Sequence, residues 1–403
     1  MNKCVLTTMS FLISLLTYSQ AMYRMYPSDA LDEERQIKIL KPRNYNANPE
    51  KTYPLVIVLD GDYLFEPTAG NVDYLSYWDQ IPESFVVGVN MDESRYDDTA
   101  IDRTTGFPEA RALKYMDFLM EIRETMLDEY RVAPFTIIVG KDISANLVAF
   151  YLLRKKVAVD GFIQIAPQYT QLVKENLIDK IAEQEEYSYF YVATSEERDE
   201  TSEFIATMSD SLFSGKEKLH VKHDVIKGTN KYSVAPEAIS KGLLYVFQEY
   251  SLIDEQELYK EGIELEKEMA STDSMDEQEN KKEKRKKSDK KLVQMLEEKY
   301  DFIREVYGIE MKLRLIDIAT IASYLTVKED WEQMIDLGEM ASKEHPDLLY
   351  GDYLQGKGYR GTGRDSRSLK AFNRAYNLEP AAGISQVDVL DEIESLQQAE
   401  DKD

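Results

Sequence analysis

The sequence is poor in cysteine and histidine. Its 403 residues include one cysteine, Cys4, and three histidines, His220, His223 and His345. Because Cys4 lies near the N-terminus, the rest of the chain excludes disulfides, thiol catalysis and cysteine-bound metals. His220 and His223 are three residues apart on a predicted strand, where side chains at that spacing point to opposite faces. The sequence therefore implies no metal site and no cofactor.

Basic residues are also scarce relative to acidic ones. The formal net charge is -26, which argues against binding of nucleic acid and favours a protein that avoids anionic surfaces. No second apolar run approaches the length needed to cross a membrane, so we expect a chain that is not membrane-spanning.

One apolar run stands at the start of the chain. Residues 1–21 have a basic beginning, an apolar core of about a dozen residues and a small-residue end, the layout of a secretory signal peptide. The mature chain would then begin near Met22. We therefore expect an exported protein, periplasmic or secreted.

Between residues 33 and 252, short apolar runs alternate with stretches at helical spacing. Several runs are apolar almost throughout, as expected of strands buried on both faces of a parallel sheet. Such alternation predicts an α/β domain over residues 22–252. The predicted strands are Gln36–Leu40, Pro54–Asp60, Phe85–Asn90, Phe135–Gly140, Phe162–Ala166, Tyr187–Thr194 and Leu219–Ile226, and the predicted helices include Glu109–Tyr130, Ser144–Lys155 and Ala235–Tyr250.

The composition changes after residue 252. Residues 253–300 are charged, nearly free of β-branched and aromatic residues, and predicted to be a linker or a solvated helix. In the following helical segment, 301–403, Pro346 recurs as Pro380, 34 positions later, and the spacing over 349–380 resembles a tetratricopeptide repeat. An ordinary helical hairpin is the alternative. We expect two antiparallel helices there, and a protein partner for this module.

Three stretches of the α/β domain resemble one family. They are KTYPLVIVLDGDYLF (51–65), FTIIVGKDISANLVAFYLL (135–153) and IKGTNKYSVAPEAISKGLLYVFQEY (226–250). Together they resemble the esterase-D-like α/β-hydrolases, whose relatives include siderophore esterases, feruloyl and acetyl-xylan esterases and mycolyltransferases. The resemblance covers roughly residues 33–252. It implies an α/β-hydrolase fold, mostly parallel with helices on both faces, and a small ester or carbohydrate ligand in the cleft.

The resemblance also implies a catalytic triad, which this sequence has altered. The family's serine at the strand–helix elbow is replaced by Asp142, and its histidine before Tyr-Ser by Lys231. The acid position follows the strand that ends at Thr194, where Glu196, Glu197 and Asp199 are all available. The implied oxyanion donors are the backbone N–H of Ile143 and one near Gly61 and Asp62. As main-chain groups, these donors do not depend on the replaced side chains.

Asp142 has more than one possible role. As a nucleophile it would need a base to hydrolyse the covalent intermediate, and no histidine lies in the 227–235 loop. As a structural group it would accept hydrogen bonds at a helix N-terminus. Ser144, two residues further, is expected to cap backbone N–H groups. We also expect an Asp142–Lys231 ion pair of about 4 Å or less, with Lys141 pointing away from the cleft.

Two further groups receive structural interpretations. Arg95 and Asp98, after the strand Phe85–Asn90, are expected to pair at the surface, and the alternative is that they line the cleft. The aromatic side chains of residues 69–80 recur at helical spacing and are expected to be core. The sequence thus predicts an esterase-like domain with a degenerate triad that acts by binding; the alternative is an active carboxylic ester hydrolase with non-standard catalytic residues.

Overall fold

The structure is a computed structural model. It describes residues 21–153, 158–183, 187–197, 201–206, 219–256, 258–260 and 278–400. The predicted leader therefore lies outside the described residues except for its last residue. The chain divides into two compact units: the first is the chain up to Ser251 with Arg304–Glu310, and the second is Leu252–Ile303 with Met311–Asp403.

An eight-stranded sheet forms the centre of the first unit. Its spatial order is β1-β2-β4-β3-β5-β6-β7-β8. β1 and β2 are antiparallel to their neighbours, and β4, β3 and β5 to β8 run parallel. The strands are Ala21–Ser28, Glu33–Leu40, Tyr53–Val58, Phe85–Val89, Val132–Lys141, Gly161–Ile165, Ser188–Ser195 and Leu219–Ile226, numbered β1 to β8.

Six of the helices in the described part of this unit connect or cover the strands. They are α1 (Phe65–Tyr77), α2 (Arg95–Asp98), α3 (Ala110–Glu129), α4 (Ile143–Leu152), α5 (Gln171–Ala182) and α6 (Ala235–Val246). The strand order reverses at β3, which has β4 on one side and β5 on the other. Because these three strands are parallel, the loops after them meet at one edge of the sheet, where ligands bind in open α/β folds.

The predicted α/β class and all seven predicted strands are confirmed, with ends shifted by a few residues. β3 is buried along its whole length, as its unbroken apolar run predicts. Sequence reasoning missed β1, an edge strand whose exposed Met22, Tyr23 and Met25 share no simple alternating pattern.

The expectation that the aromatic residues of 69–80 are core is wrong. In α1, the buried apolar residues are Phe65, Val72 and Leu75. Tyr74, Tyr77 and Trp78 are all more than half exposed, on the other side of the helix (65%, 61% and 57%). The predicted helical spacing is present, but within residues 69–80 the buried face of the helix carries Val72 and Leu75 and not the aromatic side chains.

The second unit is helical throughout its named elements. These are the greater part of α7 (Gln278–Tyr307), then α8 (Leu315–Val327), α9 (Trp331–Glu344), α10 (Tyr350–Gly361), α11 (Asp365–Ala375) and α12 (Gln386–Glu400). Residues 261–277 of the predicted linker lie outside the described residues. None of the described helices combines the length and the apolar character that crossing a membrane requires.

The predicted helical hairpin over 349–380 is confirmed. α10 and α11 run antiparallel, because Asp352 bonds to Arg374 near one end while Gly356 meets Ser368 nearer the connecting turn. A Cβ at Gly356 would lie 2.5 Å from the Phe372 ring, so the glycine permits the close approach. The second helix ends at Ala375, before Pro380, and the tetratricopeptide resemblance itself stays a prediction.

Candidate functional site

The turn between β5 and α4 has the geometry of a nucleophile elbow. Asp142 adopts φ 62° and ψ -120°, a conformation that is strained for any residue with a side chain. Gly140 lets the helix pack close behind the strand, since a Cβ there would lie 2.9 Å from Val148 and 3.0 Å from the Ala145 nitrogen. The structure therefore places Asp142 at the corner where the sequence predicted it.

Backbone hydrogen bonds hold the elbow in this conformation. The Asp142 N–H donates to the Ile165 carbonyl at 2.9 Å, and the Asp142 carbonyl accepts from Gln168 at 3.2 Å. The Asp142 carboxylate makes no capping hydrogen bond to α4. Its expected role as an acceptor at the helix N-terminus is therefore wrong, because this backbone conformation turns the side chain away from the first-turn N–H groups.

A buried carboxylate lies directly behind the elbow. Asp60, at the end of β3, is fully buried, and its oxygens lie 2.5 Å from Arg95 Nε and 2.6 Å from Ser144 Oγ. Arg95 also donates to the Lys141 carbonyl at 3.2 Å. The ion pair and its hydrogen bonds tie the ends of β3 and β5 to α2 and α4.

This network explains two side chains that sequence reasoning placed differently. Ser144 is fully buried, and its hydroxyl accepts from the Lys141 N–H at 2.8 Å rather than from the helix. Its hydroxyl therefore links the end of β5 to Asp60. Arg95 and Asp98 do not pair at the surface: Arg95 binds Asp60, and buried Asp98 binds Arg35 at 2.6 Å and Arg111 at 2.9 Å.

The expectation that Lys141 points away from the cleft is wrong, because Lys141 lies close enough to Asp142 and Lys231 to interact with their charges. Its side chain is mostly buried, at 8% exposure. Burial lowers the pKa of Lys141, with Asp142 opposing that change, and the charges of Arg95 and Lys231 lower it further. Its ammonium has no hydrogen bond or ion pair within the described part of the chain.

The predicted clasp between Lys231 and Asp142 is wrong. Over the residues that the structure describes, no ion pair of 4.0 Å or less joins them. The Lys231 ammonium lies 5.1 Å from the centre of the neighbouring Tyr232 ring, and both side chains are exposed. An exposed ammonium keeps its hydration, and a pair with another charge would add little. Lys231 nevertheless lies near enough to Lys141 to affect its pKa.

The acidic side chains that follow β7 bond to the backbone of the loop that contains Lys231. Glu196 accepts a hydrogen bond from the Gly228 N–H at 2.8 Å, and Glu197 accepts one from the Lys231 N–H at 3.4 Å. Asp199 lies outside the described residues. The two described acids thus hold the loop in place.

All three imidazoles bond to groups other than the elbow. His223 lies 2.8 Å from Thr194 Oγ1, and His220 lies 3.0 Å from Gln248 while stacking on Tyr189. His345, in the second unit, lies 2.6 Å from the Leu313 carbonyl. Asp142 therefore has no imidazole base.

The oxyanion assignment is corrected at one residue. The Gly61 N–H donates to the Val89 carbonyl at 2.7 Å, so it is not available to a ligand. The N–H groups of Asp62 and Ile143, in contrast, have no acceptor among the described residues. Two of the three predicted positions thus keep a donor that a ligand oxygen could accept from.

Comparison with known proteins finds a family similarity in part of the first unit. Residues 28–157, which include Asp60 and Asp142, match the family model described as "Putative esterase". No curated protein sequence matches the chain.

Two solved structures resemble it over most of its length. An uncharacterised protein from Capnocytophaga ochracea has a TM-score of 0.73 and 20% identity, covering 94% of this chain and 100% of that one. An IroE-like serine hydrolase from Shewanella oneidensis has a TM-score of 0.58 and 14% identity, covering 83% and 98%.

The first unit has the esterase-type α/β-hydrolase fold. In this esterase-fold domain the elbow is kept, and the family match ends well before Lys231. The resemblance deduced from the sequence is thereby confirmed. The identity to both solved structures is low enough that they support the fold alone.

Sequence reasoning missed the roles of Asp60 and Lys141. Asp60 ends a buried strand within LDGDYLF, and a carboxylate in such a position needs a buried cation. That signal could have pointed to Asp60, but its partner, Arg95, lies 35 residues away on another element. For Lys141, only the packing around the elbow shows that the side chain is buried.

Proposed function

We propose that this chain is an esterase-fold protein that binds its ligand at the elbow without hydrolysing it. The observation that carries the proposal is the elbow itself: Asp142 holds the nucleophile's conformation, but it has no imidazole partner. Ester hydrolysis by this fold needs a nucleophile and a base acting as a unit. The Ser144 hydroxyl, beside the elbow, is buried against Asp60.

Features that would contact a ligand are present although the reactive pair is missing. The N–H groups of Asp62 and Ile143 have no acceptor among the described residues, and either would donate to a carbonyl oxygen. Two aromatic rings stand exposed on loops after β3 and β8, Tyr63 at 46% and Tyr232 at 78%. Such rings offer flat apolar faces to a small ester or a carbohydrate.

An active hydrolase with non-standard residues is the second candidate, and one observation favours it. A non-glycine residue at φ 62° and ψ -120° costs about 1–3 kcal/mol, and such strain persists at many functional sites. Attack by the Asp142 carboxylate on an ester carbonyl would form a mixed anhydride and release the alcohol. Water would then have to cleave that anhydride. No imidazole in the described part of the chain lies bonded to Asp142 to assist this step.

Two wider roles belong to the same proposal. The leader-like N-terminus supports export to the periplasm or beyond. The hairpin of α10 and α11 supports a protein partner for the second unit, because helical hairpins commonly present such surfaces.

Binding and hydrolysis can be measured in the same sample. The protein is mixed with acetylated xylose and with p-nitrophenyl butyrate, and the mixtures are followed by NMR. The proposal predicts broadened ligand resonances and no release of acetate or butyrate above the protein-free rate. Release that depends on Asp142 would overturn the proposal and support the second candidate.

A further inference from the structure

Two neighbouring side chains of opposite charge lie at the elbow without a hydrogen-bond or ion-pair partner among the described residues. Lys141 is 8% exposed, and within the described residues its ammonium makes no hydrogen bond, ion pair or ring contact. The Asp142 carboxylate accepts no hydrogen bond there and has no cation within 4.0 Å. A charge that is mostly removed from water is costly unless something pairs with it. A ligand would supply what these two groups lack.

The surrounding groups decide which end of a ligand fits which residue. Arg95 already has a counter-ion, because its Nε and Nη2 bond to the buried carboxylate of Asp60, and Nη2 also bonds to the Lys141 carbonyl. The Ile143 N–H stands at the start of α4, a ten-residue helix, where backbone N–H groups favour negative charge. Lys141 and Ile143 therefore favour an anionic oxygen.

Asp142 has the opposite preference. Its carboxylate would repel a simple anion bound beside it, and it would attract an ammonium. Lys141 and Asp142 do not form an ion pair of 4.0 Å or less with each other. A group with a carboxylate and an ammonium close together satisfies both residues at once.

We propose that the site recognises the amino-acid head group of its ligand, with the carboxylate on Lys141 and the Ile143 N–H and the ammonium on Asp142. The inference rests on the proposed binding role and adds the chemical class of the ligand. The exposed rings of Tyr63 and Tyr232 fit a ligand whose remaining part is flat and apolar.

Three matched ligands test this inference by calorimetry on the full chain. L-phenylalanine carries both charges, L-phenylalaninamide lacks the carboxylate, and 3-phenylpropionate lacks the ammonium. L-phenylalanine is expected to bind at least about tenfold more tightly than either of the others. No detectable binding of L-phenylalanine, or equal binding of 3-phenylpropionate, would overturn the inference.

Charge-removing variants supply a pattern that a structural role would not give. Lys141→Met should weaken the binding of L-phenylalanine by about tenfold and leave the binding of L-phenylalaninamide unchanged, because only the carboxylate contact is lost. Asp142→Asn should weaken the binding of L-phenylalanine and strengthen the binding of 3-phenylpropionate. Lys241 is exposed and forms an i,i+4 ion pair away from the elbow residues in sequence, so Lys241→Gln serves as the control. It should change neither the affinity for L-phenylalanine nor that for 3-phenylpropionate. Equal weakening of all three ligands by either elbow variant would refute the assignment of that residue.

These outcomes are independent of whether the protein cleaves esters. None of the three ligands is an ester, so a failure to bind them would leave the proposal of binding without hydrolysis intact. Conversely, hydrolysis that depends on Asp142 would overturn the proposal of binding without hydrolysis. The preference for an amino-acid head group would still be decided by the calorimetric titrations.

Discussion

The Asp60 carboxylate and the Ser144 hydroxyl lie 2.6 Å apart, joining the end of β3 to the first turn of α4. Both residues are fully buried, and the opposite oxygen of Asp60 lies 2.5 Å from Arg95. Ser144, two residues after the corner of the elbow at Asp142, is thus part of the buried network of the first unit. The elbow keeps its shape through this network, whatever side chain occupies its corner.

Removal of Asp60 should be much more costly than removal of Ser144. Asp60→Ala leaves the largely buried Arg95 without its counter-ion and is expected to lower the free energy of unfolding by about 3–5 kcal/mol. Ser144→Ala leaves one hydrogen-bond partner unpaired and should cost about 1–3 kcal/mol. Urea unfolding followed by fluorescence would measure both.

The exposed pair of Arg43 and Asp73 provides the matched control for that series. Its side chains are 47% and 35% exposed, so Arg43→Ala should lower the free energy of unfolding far less than Asp60→Ala does. A loss for Asp60→Ala no larger than for Arg43→Ala would contradict the role given to the buried network.

Replacement of Asp142 by glycine should stabilise the protein. Glycine adopts φ 62° and ψ -120° with little strain, so Asp142→Gly is expected to raise the free energy of unfolding by about 1 kcal/mol. Asp142→Ala keeps the strain and serves as the control for loss of the carboxylate. If the two variants were equally stable, the elbow would not be under backbone strain.

A methyl group at Gly356 should disrupt the hairpin of α10 and α11. Its Cβ would lie 2.5 Å from the Phe372 ring, and Gly356→Ala is expected to cost about 1–3 kcal/mol. Gly70, inside α1, has no atom within 4 Å of the same position, so Gly70→Ala should stabilise by about 0.5–1 kcal/mol. Melting temperatures that shift in the same direction for both variants would contradict the close contact.

Mild acid should destabilise the first unit through its two histidines. Burial lowers the pKa of His220 and of His223 below the ordinary 6.5, with Glu249 and Asp224 opposing. A lowered pKa means that the unfolded chain takes up protons first, so stability is full above about pH 6.5 and falls as the pH drops toward the folded-state values.

His223→Gln should reduce the loss of stability in mild acid, because the glutamine amide can still bond to Thr194 and does not titrate. Denaturant midpoints at pH 7.5 and at pH 5.5 would be compared for wild type and variant. Carboxylates titrate alike in both proteins and cancel in the comparison. A steeper fall for the variant would show that His223 is not protonated more easily in the unfolded chain.

Much of the fold could be predicted from the sequence, because buried strands and helix periods leave local patterns. The elbow was found in the same way, from an apolar strand that ends in Gly140 and is followed by an apolar helix. The hairpin of the second unit was predicted from the spacing of its small and aromatic residues. These features depend on neighbours in the chain.

The errors concern pairings between distant elements. Sequence reasoning joined Lys231 to Asp142 by analogy with a serine and a histidine, but a lysine on an exposed loop gains more from water than from an exposed partner. It also placed Arg95 at the surface, although Asp60 holds it in the interior. No local pattern shows which distant residue pairs with a buried charge.

The rate of ester hydrolysis by wild type relative to Asp142→Ala tests the central claim most directly. With p-nitrophenyl acetate as substrate, binding without hydrolysis predicts equal rates for the two proteins, because no nucleophile–base pair stands at the elbow. A wild-type rate about a hundredfold above the variant would contradict it, since a gain of that size requires a catalytic group at Asp142.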